Sequence, residues 1–290
     1  MLDLRLPSPL VELRDARLHD VRLWLKRDDQ INPEIPGNKW RKLKHNLPAF
    51  GGPVLTFGGA YSNHIRAVAA AGWHFGFATV GVIRGEERLP LNPTLAYAVE
   101  RGMRLTYLDR GTYRLKHTPE VLEGLQARFP GCLILPEGGS NAAAVLGCRE
   151  LAAEISAEID FDVVCCPVGT GGTLAGIAAG LGPGQQAIGF SALRGGGFLA
   201  DEVARLQREA LGEAVPGWRV ETAYHCGGYA RSTPELSAFI DDFDERHGLR
   251  LDRIYTGKMM YGLFDLIGKG SFRPGAKIVA VVTGPEWISQ

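Results

Sequence analysis

The chain has 290 residues, 45% hydrophobic and 22% charged, the balance of a water-soluble globular protein able to bury one large core or two smaller ones. Thirty-two basic residues cancel 32 acidic ones, so charge makes no case for a nucleic-acid or membrane-surface partner, and a small neutral or zwitterionic ligand fits better. No apolar run approaches a membrane span, Met1-Leu2-Asp3-Leu4-Arg5 has no signal-peptide core, and the five cysteines form neither a C-x-x-C pair nor a metal-ligand spacing with histidine. The expectation is a cytoplasmic protein without a metal site.

From Arg22 to Asp29 polar and apolar residues alternate, which predicts a strand delivering the chain to the Pro36-Gly37 turn. Asn38 is the expected N-cap of the helix that follows, with Trp40, Leu43 and Leu47 at helical spacing. Lys39 then sits in the first turn, at the positive end of the helix dipole, where an ammonium is disfavoured. A lysine that attacks an aldehyde must be uncharged. Taken alone, Lys39, Arg41, Lys42 and Lys44 also describe one solvated basic face.

Beyond this turn the pattern repeats. Apolar runs at 54–57, 78–83, 104–108 and 132–135 are separated by helical stretches at 63–72, 92–101 and 119–129. After a helix at 142–159, strands at 163–167, 187–193, 219–223 and 277–282 alternate with helices at 173–181, 198–211, 234–246 and 259–267. Such βα alternation predicts parallel sheets covered by helices on both faces. Roughly eight strands exceed one comfortable open sheet, so two α/β domains with a cleft between them are expected.

Two strand-to-helix junctions are rich in glycine. Thr56-Phe57-Gly58-Gly59-Ala60-Tyr61-Ser62-Asn63-His64 brings backbone N–H groups and two polar side chains to a helix N-terminus, a natural carboxylate site. Gly169-Thr170-Gly171-Gly172-Thr173 follows an apolar strand and lets the backbone approach an oxyanion such as a phosphate. Either loop could equally serve close strand–helix packing, and the second is neither a Walker loop nor a dinucleotide fingerprint. Tyr255-Thr256-Gly257-Lys258 opens a late helix, Thr283 closes the last strand, and Tyr229 follows Cys226-Gly227-Gly228.

Together these stretches resemble the fold-type II pyridoxal-phosphate enzymes, and within them the group of 1-aminocyclopropane-1-carboxylate deaminase and D-cysteine desulfhydrase. The resemblance runs in order over nearly the whole chain, through Lys26-Arg27-Asp28-Asp29, Gly37-Asn38-Lys39-x-Arg41-Lys42-Leu43, Gly58-Gly59-x-x-Ser62-Asn63-His64, Gly169 to Thr173 and Tyr255 to Lys258. It implies a larger cofactor-binding domain, residues 1–44 and 141–290, with a smaller α/β domain, 45–140, inserted into it. Pyridoxal 5'-phosphate would lie between them, in a homodimeric enzyme.

By position, the resemblance assigns Lys39 to the cofactor aldehyde, and Lys42 with Gly169, Thr170, Gly171, Gly172 and Thr173 to its phosphate. Asn63 goes to the ring hydroxyl, and Ser62 with neighbouring Asn63 and His64 to the substrate carboxylate. Tyr255 and Tyr229 line the reacting face, and Thr256 or Thr283 faces the pyridine nitrogen. The deaminase pattern has a glutamate directly after the tyrosine, where this chain has Thr256, and lacks the threonine seen at Thr283. The lead-in Phe57-Gly58-Gly59-Ala60-Tyr61 also departs from the usual isoleucine-glutamine. These differences point to α,β-elimination on a small D-amino acid, foremost D-cysteine. The alternatives are ring-opening deamination, serine racemase or dehydratase chemistry, and a non-catalytic binder of a phosphorylated ligand. A mere phosphate binder would not need Lys39.

Overall fold

The computed structural model describes residues 2–47 and 52–284. The chain begins with β1 (Leu10–Leu13), β2 (Arg22–Lys26) and α1 (Asn38–Leu43). It continues through β3 (Val54–Gly58), α2 (Asn63–Phe75), β4 (Thr79–Arg84), α3 (Pro93–Glu100), β5 (Arg104–Leu108), α4 (Arg110–Arg114), α5 (Pro119–Arg128) and β6 (Leu133–Leu135). The last stretch holds α6 (Ala142–Ser156), β7 (Val163–Val168), α7 (Gly172–Ala179), β8 (Gln186–Ser191), α8 (Leu199–Leu211), β9 (Trp218–Glu221), α9 (Pro234–His247), α10 (Thr256–Gly268) and β10 (Lys277–Val281). Among the described residues no helix is long and apolar enough to cross a membrane.

The chain divides into two compact units. Among the described residues the larger takes 4–45 and 140–284, and its six-stranded sheet runs β1-β2-β10-β7-β8-β9, parallel except where β1 meets β2. Successive residues of its strands enter opposite cores. Leu23, Leu25, Cys165, Ile278 and Ala280 pack on the side of α9 and α10, whereas Trp24, Val164, Cys166, Val279 and Val281 pack on the side of α6, α7 and α8. Continuous apolar strands are what a sheet buried on both faces requires.

The smaller unit, residues 46–139, carries a four-stranded all-parallel sheet in the order β5-β4-β3-β6. Leu55, Phe57, Val80 and Val82 form its core with Leu125 of α5 and Phe129, the residue just after that helix. Helix starts are set locally: Ser62, Asn92, Asn141 and Thr233 cap α2, α3, α6 and α9 through their side-chain oxygens.

Two elements escape the sequence pattern. β1 is a four-residue edge strand, too short to show an alternation, and it exists because β2 offers it a pairing edge. α4 has five residues and starts because Asp109 accepts from the N–H groups of Gly111 and Thr112.

Candidate active site

Within the larger unit the Lys39 turn is wedged against the end of the last strand. Gly37 has φ +59°, and a Cβ on it would stand 1.9 Å from the Thr283 carbonyl oxygen, so only glycine fits. Gly37, not Asn38 as the sequence suggested, is the N-cap of α1. The Asn38 side chain is thereby released from capping, and its Nδ2 donates to Thr173 Oγ1 at 3.0 Å, tying the helix to the glycine loop.

The reading of a solvated basic face fails here. Arg41 and Lys42 are 1% and 2% exposed. Arg41 bridges two carboxylates: Nε and Nη2 donate to Asp28 at 2.7 and 2.8 Å, while Nη1 and Nη2 donate to Glu154 of α6 at 2.8 Å each. Asp28 also accepts from Ser8 Oγ at 2.6 Å. This planar fork locks α1 between the turn that follows β2 and α6.

Lys39 keeps part of its surface open, yet protein crowds it closely. That burial, assisted by the positive charge of Lys42, draws its pKa from 10.5 down to about 7, against the opposing pull of Cys148 and Asp252. The helix dipole is not the main cause, because α1 has only six residues. Lys39 is accordingly expected to be reactive as a free amine at neutral pH. Trace labelling of the cofactor-free protein with acetic anhydride should give a reactivity that rises with pH through a midpoint near 7 and is level by about pH 9, since a neutral amine is the nucleophile. A midpoint above about 9 would show that the amine is not desolvated as the structure has it.

Lys42 Nζ donates to Ser140 Oγ at 2.9 Å and to Thr170 Oγ1 at 3.4 Å, and those two hydroxyls are 2.7 Å apart. Burial lowers the pKa of Lys42 as well. The loop from Gly169 to Thr173 carries the chain from β7 into the start of α7, where the first N–H groups of a helix have no intrahelical acceptor. Its glycines are needed for close approach. A Cβ on Gly172 would meet Ser140 Oγ at 2.6 Å and Lys42 Cε at 3.3 Å, and one on Gly169 would meet the Tyr255 ring at 3.1 Å.

Tyr255 and Tyr229 stack edge to face with ring centroids 6.1 Å apart, and Tyr229 is 37% exposed. Asp252 holds the first of them: its carboxylate accepts from the N–H groups of Ile254, Tyr255 and Thr256 at 3.0, 2.6 and 2.7 Å. Burial pushes the Asp252 carboxyl pKa up in spite of these donors. Thr256 is wholly buried in the first turn of α10, whereas Thr283 adjoins the Gly37 turn.

In the smaller unit Ser62 caps α2 by accepting from Ile65 N at 3.3 Å, and Asn63 begins that helix half-buried. The resemblance groups His64 with them at the substrate carboxylate, whereas its imidazole is buried against Thr56 of the sheet. The Thr56 hydroxyl donates to the Leu135 carbonyl at 3.1 Å, so the hydrogen in its 2.9 Å bond to His64 belongs to the imidazole Nε2. The ring also lies where a Cβ on Gly139 would be, 2.7 Å from Cε1. His64 therefore anchors the loop rather than presenting itself to a ligand.

Sequence reasoning passed over Asn38 as a tie to Thr173, and also Ser140 and Asp252. The last two had signals: Ser140 follows Gly138-Gly139 just ahead of a helix, and Asp252 lies four residues ahead of α10.

An ammonium and two hydroxyls meet at the mouth of a glycine loop, with a desolvated amine one helical turn away, an arrangement suited to an anion that carries an aldehyde. The chain matches the family of the "Pyridoxal-phosphate dependent enzyme" over residues 1–284, and it belongs to that family. It is 31% identical over 280 residues to a "Putative 1-aminocyclopropane-1-carboxylate deaminase" of Pyrococcus horikoshii, covering 90% of this chain and 84% of the relative. It is 30% identical over 306 residues to the "Bifunctional D-cysteine desulfhydrase/1-aminocyclopropane-1-carboxylate deaminase, mitochondrial" of Arabidopsis thaliana, covering 96% and 76%. The crystal structure of an "ACC deaminase homologue" superposes with a TM-score of 0.83 at 29% identity, over 97% of this chain and 90% of the other. The protein is thus a pyridoxal-phosphate enzyme of fold type II, akin to the 1-aminocyclopropane-1-carboxylate deaminases and D-cysteine desulfhydrases.

The residues present fit that cofactor. Lys42, Ser140, Thr170 and the loop N–H groups suit its phosphate, and the lowered pKa of Lys39 suits its aldehyde.

Proposed function

We propose that the protein is a lyase that converts D-cysteine and water to pyruvate, ammonia and sulfide. The carrying observation is Lys39, an amine brought to a pKa of about 7 within one helical turn of a phosphate cradle. When bound, pyridoxal phosphate supplies the electron sink that makes the substrate Cα–H acidic. Lys39 Nζ, whose pKa burial brings well below a lysine's ordinary value, is placed in our reading to accept that proton. Ser62 and the N–H groups at the start of α2 hold the substrate carboxylate, and Asn63 donates to the cofactor's ring hydroxyl. Tyr255, with Tyr229 stacked on it, flanks the departing sulfur.

Thr283 is the better neighbour for the pyridine nitrogen, because it adjoins the Gly37 turn while Thr256 is wholly buried in the first turn of α10. A hydroxyl there does not favour ring protonation as a carboxylate would. Elimination of a β-thiolate tolerates that, whereas opening a cyclopropane, which has no leaving group, does not. All five cysteines are free thiols, in keeping with a reducing, cytoplasmic setting; the homodimer is carried by the family resemblance alone.

Purified, cofactor-loaded protein given D-cysteine, L-cysteine, D-serine and 1-aminocyclopropane-1-carboxylate in parallel is expected to release sulfide and pyruvate from D-cysteine. It should form little 2-oxobutanoate from the cyclopropane. Efficient cyclopropane turnover with neither cysteine isomer used would reverse the assignment.

A further inference from the structure

Lys258 closes the Tyr255-Thr256-Gly257-Lys258 stretch and makes no bond to the phosphate cradle or the Lys39 turn. It is 1% exposed, and no carboxylate among the described residues lies within ion-pairing distance of its ammonium. Its Nζ instead donates to two backbone carbonyls, Gly228 at 2.6 Å and Ala192 at 3.4 Å. The Asp252 carboxylate and the Cys226 thiol favour this cation only from beyond contact distance, so an apolar side chain of similar length would serve packing better. The cation is there for what it holds.

What it holds is a strained loop. Cys226, Gly227, Gly228 and Ala230 have φ of 47°, 90°, 109° and 54°, and such conformations persist only where the surroundings over-determine them. The Gly228 carbonyl is the pivot: it accepts from Arg231 N at 3.1 Å as well as from Lys258. The next residue is Tyr229, whose ring meets Tyr255. Both tyrosines are thus held around the start of α10. Asp252 fixes the backbone of Tyr255 just ahead of it, and Lys258 fixes the loop of Tyr229.

We propose that Lys258 is a positioning residue for the reaction, setting the Tyr229 ring against Tyr255 by clamping the Gly228 carbonyl. The kinetic half of this claim rests on the lyase reading; the clamp itself does not. The test is Lys258→Met in the cofactor-loaded enzyme, with Lys258→Arg as the variant that keeps charge and donors. Hydrogen exchange in Lys258→Met should quicken at the amides of residues 227–231 and stay unchanged in the sheet. kcat on D-cysteine should fall by up to about 100-fold with KM altered far less, because misplacing a reacting-face group acts on the chemical step. Lys258→Arg should recover much of both.

Tyr229→Ala should mask the loss, so that adding Lys258→Met to it costs nothing more. If Lys258→Met does not fold, Gly228→Ala disturbs the same carbonyl from the other side, since its Cβ would meet Arg194 Cβ at 3.2 Å, and the same localised pattern is expected. Unchanged exchange at 227–231, or quickened exchange with wild-type kcat, overturns the proposal. Wild-type protein inactive on every amino acid of the panel sinks the lyase reading instead, while the exchange result still judges the clamp.

Discussion

Replacing Lys39 by Ala is expected to lower kcat/KM by about 10⁴-fold or more, the scale of losing a proton acceptor that also secures the cofactor. The variant should nevertheless fold. Lys39 has protein around it and a pKa of about 7, so a methyl in its place removes a desolvated amine rather than a stabilising pair. Lys42, Ser140 and the glycine loop are untouched, and the variant should still take up pyridoxal phosphate, although dialysis would now remove it. Thermal unfolding and gel filtration alongside the assay separate loss of chemistry from loss of fold. Activity within tenfold of wild type would mean that another group accepts the proton.

Replacing Arg41 by Met should have the largest effect on stability, about 3 to 5 kcal/mol, because it leaves Asp28 buried without its cation. For a chain of this size that is a fall in Tm on the order of 10 °C. The contrast is Arg205→Met on α8. Arg205 faces water and pairs with Glu202 and Glu209 one turn away on either side, and its removal should cost under about 1 kcal/mol. Arg41 also fixes the helix that carries Lys39 and Lys42, so cofactor affinity should fall with stability. Equal Tm shifts in the two variants would show that the buried fork contributes no more than a surface pair.

How much of this was legible depends on range. β7 reads as a strand and α7 as a helix from six buried residues running into glycines, since both signals are local. Lys39 could be singled out by its place after Pro36-Gly37, but the main cause of its lowered pKa could not be, because burial is a property of the folded chain and not of the residues beside it. Arg41 and Asp28 lie 13 positions apart, and Arg41 and Glu154 lie 113 apart, so a charged stretch that looked solvated is in fact core. His64 shows the converse error. Its neighbours Ser62 and Asn63 face the loop, but one further step along the helix turns the side chain onto Thr56. Lys258 has no legible role in the sequence, since a bond from a side chain to the Gly228 carbonyl, 30 residues away, leaves no mark in residue types.

The central claim is that Lys39 is the residue joined to the cofactor. Protein loaded with pyridoxal 5'-phosphate, reduced with borohydride and digested should yield one pyridoxyl-bearing peptide, with the label on Lys39 and its yield falling in proportion when Lys39 is replaced. Label on Lys42 or Lys258 instead, or no stable label on any lysine of the loaded protein, would contradict it.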